Sequence, residues 1–139
     1  MLKIEEIRDK VLTIGAQIGI DEKSSLYPAF SAPNKVFNEG ASIYVTATQY
    51  HYIIMERGKE IKHYKSEKLE DILYPLFRSI TLVLASKYEL EHRNIKEDSR
   101  KLRWKKQLEL LEIINVEFCD MRQKEIEEIL KIAPYQDKV

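Results

Sequence analysis

The sequence predicts an α+β fold: an N-terminal helix, a small antiparallel β-meander, then three C-terminal helices packed on the sheet. Three observations point there. Apolar residues near the N-terminus recur at helical spacing, residues 42–66 are rich in β-branched and aromatic side chains, and three long segments after them return to helical spacing. The 139 residues suffice for one domain with a single core that needs neither disulfide nor metal. Residues 1–39 read as the first helix and a connection, 40–66 as the sheet, and 67–133 as the helical part of that single α+β domain.

In the first element Ile4, Ile7, Val11, Leu12, Ile14 and Ile18 lie close to the three-and-four spacing that makes one buried stripe. The segment Gly19 to Gly40 holds Pro28, Pro33, Asn34 and several serines, which form turns or stop helices. Phe30, Val36 and Phe37 imply that parts of it pack, so an ordered connection with at most a short edge strand is expected. The sheet follows in SIYV (Ser42 to Val45), YHYIIM (Tyr50 to Met55) and EIKHYK (Glu60 to Lys65), with the glycine of ERGK suited to the turn between the last two. Strand side chains alternate, so His51, Ile53 and Met55 share one face while Tyr50, Tyr52 and Ile54 share the other. Both faces are apolar enough to be covered.

Ser66 is a candidate cap for the next helix, with Glu67, Glu70 and Asp71 where the helix dipole favours carboxylates. Leu69, Ile72, Leu73, Leu76, Phe77, Ile80, Val83 and Leu84 then keep helical spacing, and this helix should run to about Glu91. The next carries Leu102, Leu108, Leu111 and Ile114. Asn115 suits the N-cap of a last helix carrying Phe118, Met121, Arg122, Ile126, Ile129 and Leu130, which Pro134 stops.

Lys+Arg and Asp+Glu both number 23, so the net charge is zero and no overall field draws the chain to nucleic acid or an anionic membrane. Cys119 is the only cysteine, which excludes an internal disulfide and fits a reducing compartment. The N-terminus mixes charges into its apolar residues, unlike a signal peptide, and no stretch reaches the ~20 apolar residues of a membrane helix. A cytoplasmic protein with no membrane partner is expected.

Charge is densest in YELEHRNIKEDSRKLRW, Tyr88 to Trp104. Glu89, Glu91, His92, Arg93, Glu97, Asp98, Arg100 and Arg103 are possible acids, bases and cation partners, but catalysis would need a pocket that shifts their pKa values. Their ordinary use in helix caps and ion pairs weighs more. His51, His63 and His92 are scattered and Cys119 stands alone, so no zinc signature is present. His51 and His63 can face each other across the hairpin, a placement commoner for packing than for ligation, and Cys119 reads as a core residue. Phosphate-loop, dinucleotide and nucleophile-elbow motifs are missing. No catalytic residue, metal ligand or cofactor is predicted.

RKLRWKK, Arg100 to Lys106, sets five basic residues around Trp104, a pattern that can grip phosphates and stack a base. Yet Trp104 falls on the helix side of Leu108 and Leu111 and should pack inward while the lysines cover the solvated face. Nucleic acid is therefore the disfavoured partner. A nucleic-acid-binding or regulatory module built on this basic helix is the alternative reading of function.

A set of blocks in fixed order carries more specific information: YHYIIMERGKEI at Tyr50 to Ile61, LEDILYPLF at Leu69 to Phe77, YELEHR at Tyr88 to Arg93, DSRKLRWKKQLELL at Asp98 to Leu111, RQKEIEEIL at Arg122 to Leu130 and PYQD at Pro134 to Asp137. In these blocks the chain resembles the immunity protein 63 family, predicted immunity proteins of bacterial polymorphic toxin systems, over roughly Gly40 to Asp137. It departs from relatives at Ser99, where they tend to have an aromatic, and at Asn115, Val116, Glu117 and Phe118, where they tend to have Asn-Pro-Glu-Trp. The resemblance implies a cytoplasmic protein that binds and neutralises a cognate protein toxin, and it implies no catalysis by the chain.

An inhibitor of that kind works through a protein interface, with aromatic and arginine anchors supplying most of the energy and charged rim residues steering encounter. Arg93, Asp98 and Arg100 are candidate contacts, although capping and ion pairing at a helix junction are the roles such residues more often have. Tyr44, Tyr50, Tyr52 and Arg57, expected to be exposed on the sheet and its turn, are the alternative anchors.

Overall fold

The computed structural model describes residues 1–138. Among them are four helices, α1 (Ile4–Gln17), α2 (Glu70–Glu91), α3 (Ser99–Ile114) and α4 (Val116–Ile132). The strands are β1 (Ala29–Phe30), β2 (Gly40–Val45), β3 (Tyr50–Glu56) and β4 (Lys59–Ser66), in the sheet order β1-β2-β3-β4. The predicted α+β order is therefore present. By contacts the chain divides into two compact units, Met1–Leu76 and Phe77–Val139, and α2 runs through the boundary.

In the first unit α1 buries Ile7, Val11 and Gly15, and the backbone N–H of Lys3 donates to Glu6 Oε1 (3.0 Å) at its start. Gly15 has no side chain because the phenol of Tyr27 occupies the space that a β-carbon would need. The sheet is mixed, where a purely antiparallel meander was expected, because Ser31–Glu39 returns the chain so that the two-residue β1 lies parallel to β2. The expected short edge strand is thus real, but Phe37 beyond it is exposed instead of packed.

Strands β2, β3 and β4 form the meander. Ile43 pairs with Tyr52 and Tyr52 with Tyr64, while Ser42 pairs with Ile53 and Ile53 with His63. Residues on both faces, Tyr50 and Tyr52 on one and His51 and Ile53 on the other, are buried. Glu56 pairs with Lys59 across a two-residue loop in which Arg57 (φ 51°) and Gly58 (φ 77°) both have positive φ. That is the backbone of a type I′ hairpin turn, whose handedness suits the strand twist. Met55 pairs with Glu60 and Ile54 with Lys62, so Ile61 is the extra residue of a bulge.

Helix α2 begins at Glu70, not at the turn after Ser66. Ser66 Oγ accepts from Lys68 N (3.1 Å) and donates to Asp71 (2.6 Å), so it organises the approach to the helix and does not cap its first turn. Pro75 removes one backbone donor inside α2. It is buried there, beside Tyr74 and Leu76 at 5% and 1% exposure.

The second unit contains the later part of α2 with α3 and α4, around Phe77, Ile80, Ala85, Trp104, Leu110, Leu111, Phe118 and Ile126. Val83, Met121 and Ile129, expected in the buried stripes, are exposed instead, and polar residues take part of the interior. Gln107 on α3 is fully buried. Its amide donates to the Arg78 carbonyl (2.9 Å) and Thr81 Oγ1 (3.3 Å) of α2, and its carbonyl accepts from Arg122 Nε (3.0 Å) of α4. Thr81 in turn donates to the Phe77 carbonyl, and Glu125 accepts from both Arg78 and Arg122.

A buried polar group without a partner costs free energy, more so when it is charged. Gln107→Leu removes the acceptor of a buried arginine and should lower the unfolding free energy by about 2–3 kcal/mol, measured from the denaturant midpoint of the full chain.

Candidate functional site

Two clusters of titratable side chains have defined geometry, one in each unit. In the first unit the hairpin β3–β4 brings His51 Nδ1 to 2.7 Å from His63 Nε2, and His63 Nδ1 to 2.8 Å from Glu60 Oε1. A carboxylate only accepts, so His63 Nδ1 carries the hydrogen and, while His63 is neutral, its Nε2 accepts from His51. Tyr44 of β2 stacks on His51 with ring centroids 4.4 Å apart, and its hydroxyl lies 3.4 Å from His63 Nε2. Thr46 Oγ1 meets the other nitrogen of His51 at 3.4 Å. Burial, then His63, then Lys65, push the His51 pKa below the usual histidine value, which favours the neutral ring; burial and Glu60 push the Tyr44 phenol up.

The expected facing of His51 and His63 is present, and Glu60 and Thr46 complete a hydrogen-bonded row that the sequence did not suggest. The signal for Glu60 was its position three residues before His63, which in a regular strand would put the two on opposite faces. The bulge at Ile61 reverses that.

The sheet tyrosines differ in what they offer a partner. Tyr50 and Tyr52 are only 6% and 3% exposed, which corrects the expectation that both lie at the surface. The Tyr50 hydroxyl accepts from Leu2 N (2.9 Å), and Tyr52 stacks with Tyr64 at 5.7 Å. Tyr44 is half-buried, and Arg57 sits exposed on the hairpin turn, where its backbone N–H donates to Glu39 Oε1 (2.7 Å).

In the second unit the motif residues around Asp98 form a clasp. Asp98 Oδ1 accepts from Arg100 N (3.0 Å) at the start of α3, while Oδ2 accepts from Arg100 Nη2 (2.8 Å) and from Gln136 N (2.9 Å). Arg100 also donates to the Ala133 and Pro134 carbonyls, both at 2.8 Å, beyond the end of α4. Asp137 accepts from Asp98 N and pairs with Lys101. The Arg100 guanidinium lies 5.4 Å from the ring centres of both Trp104 and Tyr135. Hydrogen bonds from Arg100, then those from the Gln136 and Arg100 backbones, hold the Asp98 carboxyl far below the usual range.

Arg93 makes a two-pronged pair with Glu89 of α2 (2.7 and 2.9 Å), and that bond holds the Glu89 carboxyl low although the side chain is buried. Arg93 and Asp98 line an open cleft of about 350 Å³ with Asn94, Glu97, Gln136 and Lys138. Hydrogen-bond partners hold the Asp98 carboxyl low and the Arg93 guanidinium high, so both favour their charged forms, which suits structure and not proton transfer. Burial, then Glu112 and Asp120, push the Cys119 thiol up, away from a reactive thiolate.

The basic run is also largely engaged. Arg103 donates to Ser99 Oγ (3.1 Å), Lys106 lies 4.6 Å over the Tyr88 ring, and Trp104 is 6% exposed, as expected, so it offers no face for a base. Among the described residues no group of three or more His, Cys, Asp or Glu side chains could hold a metal, and no helix is long and apolar enough to cross a membrane.

Because Asp98, Glu89 and Asp137 all titrate below their ordinary values in the fold, their contribution is present above about pH 4 and is lost as pH falls through the depressed values. Asp98→Asn should therefore flatten the fall of stability between pH 4 and the acid limit, read from denaturant midpoints across pH. Arg100→Leu should leave α3 helical yet speed amide exchange at residues 135–138.

Comparison with known proteins adds one match. A family model described as Immunity protein 63 matches residues 47–128, more than half of the chain. No curated protein and no solved structure matches.

Proposed function

The chain belongs to the Immunity protein 63 family, and from that premise we propose that it binds a bacterial protein toxin in the cytoplasm and neutralises it by covering the toxin's active surface. The match over residues 47–128 is the observation that carries this reading. The partnered charges of Asp98 and Arg93 and the lowered pKa of the hydrogen-bonded His51 support a binding role over turnover.

The motif residues Asp98 and Arg100 spend their hydrogen bonds inside the second unit, and Arg93 spends its pair on Glu89. Contact with the toxin is therefore assigned to the first unit, where Tyr44 and Arg57 remain available. Tyr44 pairs with His51, six residues before Arg57 along β3, a separation of about 20 Å at strand rise. Both fit within one patch of about 800 Å² per partner, the size of an ordinary specific interface. Tyrosine and arginine are also the residue types that most often anchor one.

Coexpression with the toxin domain encoded beside this gene should restore growth and yield a complex on copurification. Tyr44→Ala and Arg57→Ala should each weaken that complex by about tenfold or more, while Tyr50→Phe, which alters a buried hydroxyl, should not. Unchanged affinity in both alanine variants rejects this patch. No rescue and no complex, with both proteins folded, rejects the immunity reading.

A further inference from the structure

The sheet has two edges of different character. On one side β1 is two residues long, too short to template a neighbour, and on the other β4 is eight residues long and, among the described residues, pairs only with β3. Lys59, Glu60, Ile61, Lys62, His63 and Lys65 of β4 are exposed. An edge strand keeps about half of its backbone N–H and C=O groups pointing away from the sheet, in position to pair with another extended chain. The bulge at Ile61 twists the first part of β4, which leaves Lys62 to Ser66, in continuous register with Ile54 to Tyr50, as the regular template.

Side-chain charge decides what can pair there. Lys59, Lys62 and Lys65 lie on β4 against Glu60, which His63 already engages at 2.8 Å. Lys62 to Ser66 carries two lysines and no carboxylate, so a second copy of the same stretch brings like charge to like charge, which disfavours its pairing. A strand carrying carboxylates meets the opposite situation. Ile61, 49% exposed at the bulge, adds an apolar contact at the end of the template.

We propose that the outer edge of β4, over Lys62 to Ser66, receives an extended acidic segment of the partner toxin as a fifth strand of the sheet. This rests on the immunity reading for the identity of the partner. Backbone hydrogen bonds supply a sequence-independent part of the affinity, and the lysines select acidic segments and exclude self-association.

The test uses the full chain, labelled with ¹⁵N, and an octapeptide alternating valine and glutamate as the probe. Shift changes confined to residues near 61–66, with slowed amide exchange there, are expected. An octapeptide alternating valine and lysine should leave these signals in place. The acidic peptide methylated on alternate backbone nitrogens keeps its charge but loses hydrogen bonds, and it should bind about tenfold more weakly, as should the acidic peptide to K62E/K65E of unchanged melting temperature. Should that variant melt lower, the methylated peptide alone decides.

Equal binding of the methylated and unmethylated peptides, changes centred elsewhere, or no changes would overturn the proposal. So would a thymidine oligonucleotide that perturbs the same amides at lower concentration than the acidic peptide. Failure here in a chain that still rescues growth removes the edge and leaves the immunity function. Binding at the edge by a chain that neutralises nothing has the reverse meaning.

Discussion

The second unit depends on Gln107. Its amide has a donor and an acceptor end, and the helices around it supply one partner for each: the Arg78 carbonyl and Thr81 hydroxyl on α2, and the Arg122 guanidinium on α4. Any rotation or slide of α3 would leave one of these buried groups unpaired, at a cost that an apolar contact of similar area does not carry. That restriction matters because α3 has only Trp104, Leu110 and Leu111 as buried apolar residues with which to choose its orientation. A directional interaction thus sets what the apolar stripe leaves loose.

With α3 placed, its first residues can hold the chain beyond α4. Asp98 caps α3 through Arg100 N and accepts from Gln136 N, so one carboxylate ties together positions 38 residues apart in sequence. Arg100 fills the space between with bonds to the carbonyls after Ile132 and with its face toward Trp104 and Tyr135. The blocks DSRKLRW and PYQD therefore describe one interlocked object. Residues that make a family recognisable can be those that hold its fold.

Much of the fold is legible in the sequence because local physics and the final structure agree. The spacing of Ile7 and Val11, the β-branched and aromatic run from Ser42, Asn115 as the cap of α4 and Pro134 after its end all reappear in place. Less of the site is legible. Tyr50 and Tyr52 look like surface anchors beside Tyr44, yet alternation cannot tell which face of a two-faced strand is covered. The row from Glu60 to His63 and His51 needs a bulge at Ile61, which shifts the face of one strand by a single residue. Val83, Met121 and Ile129 keep helical spacing without being buried, because Gln107, Thr81 and Arg122 occupy interior positions that a hydrophobic pattern assigns to apolar residues.

By itself the sequence determined the α+β class, the order of its elements, the ends of three helices and the family, since each follows from periodicity, capping chemistry or motif order within short stretches. Only the tertiary structure decided the parallel pairing of β1, the burial of Tyr50 and Tyr52, the partners of Gln107 and the closure of Asp98 on Gln136. These depend on which distant groups meet, and a hydrogen bond of 3 Å or a covered strand face is a relation between residues that no local pattern contains.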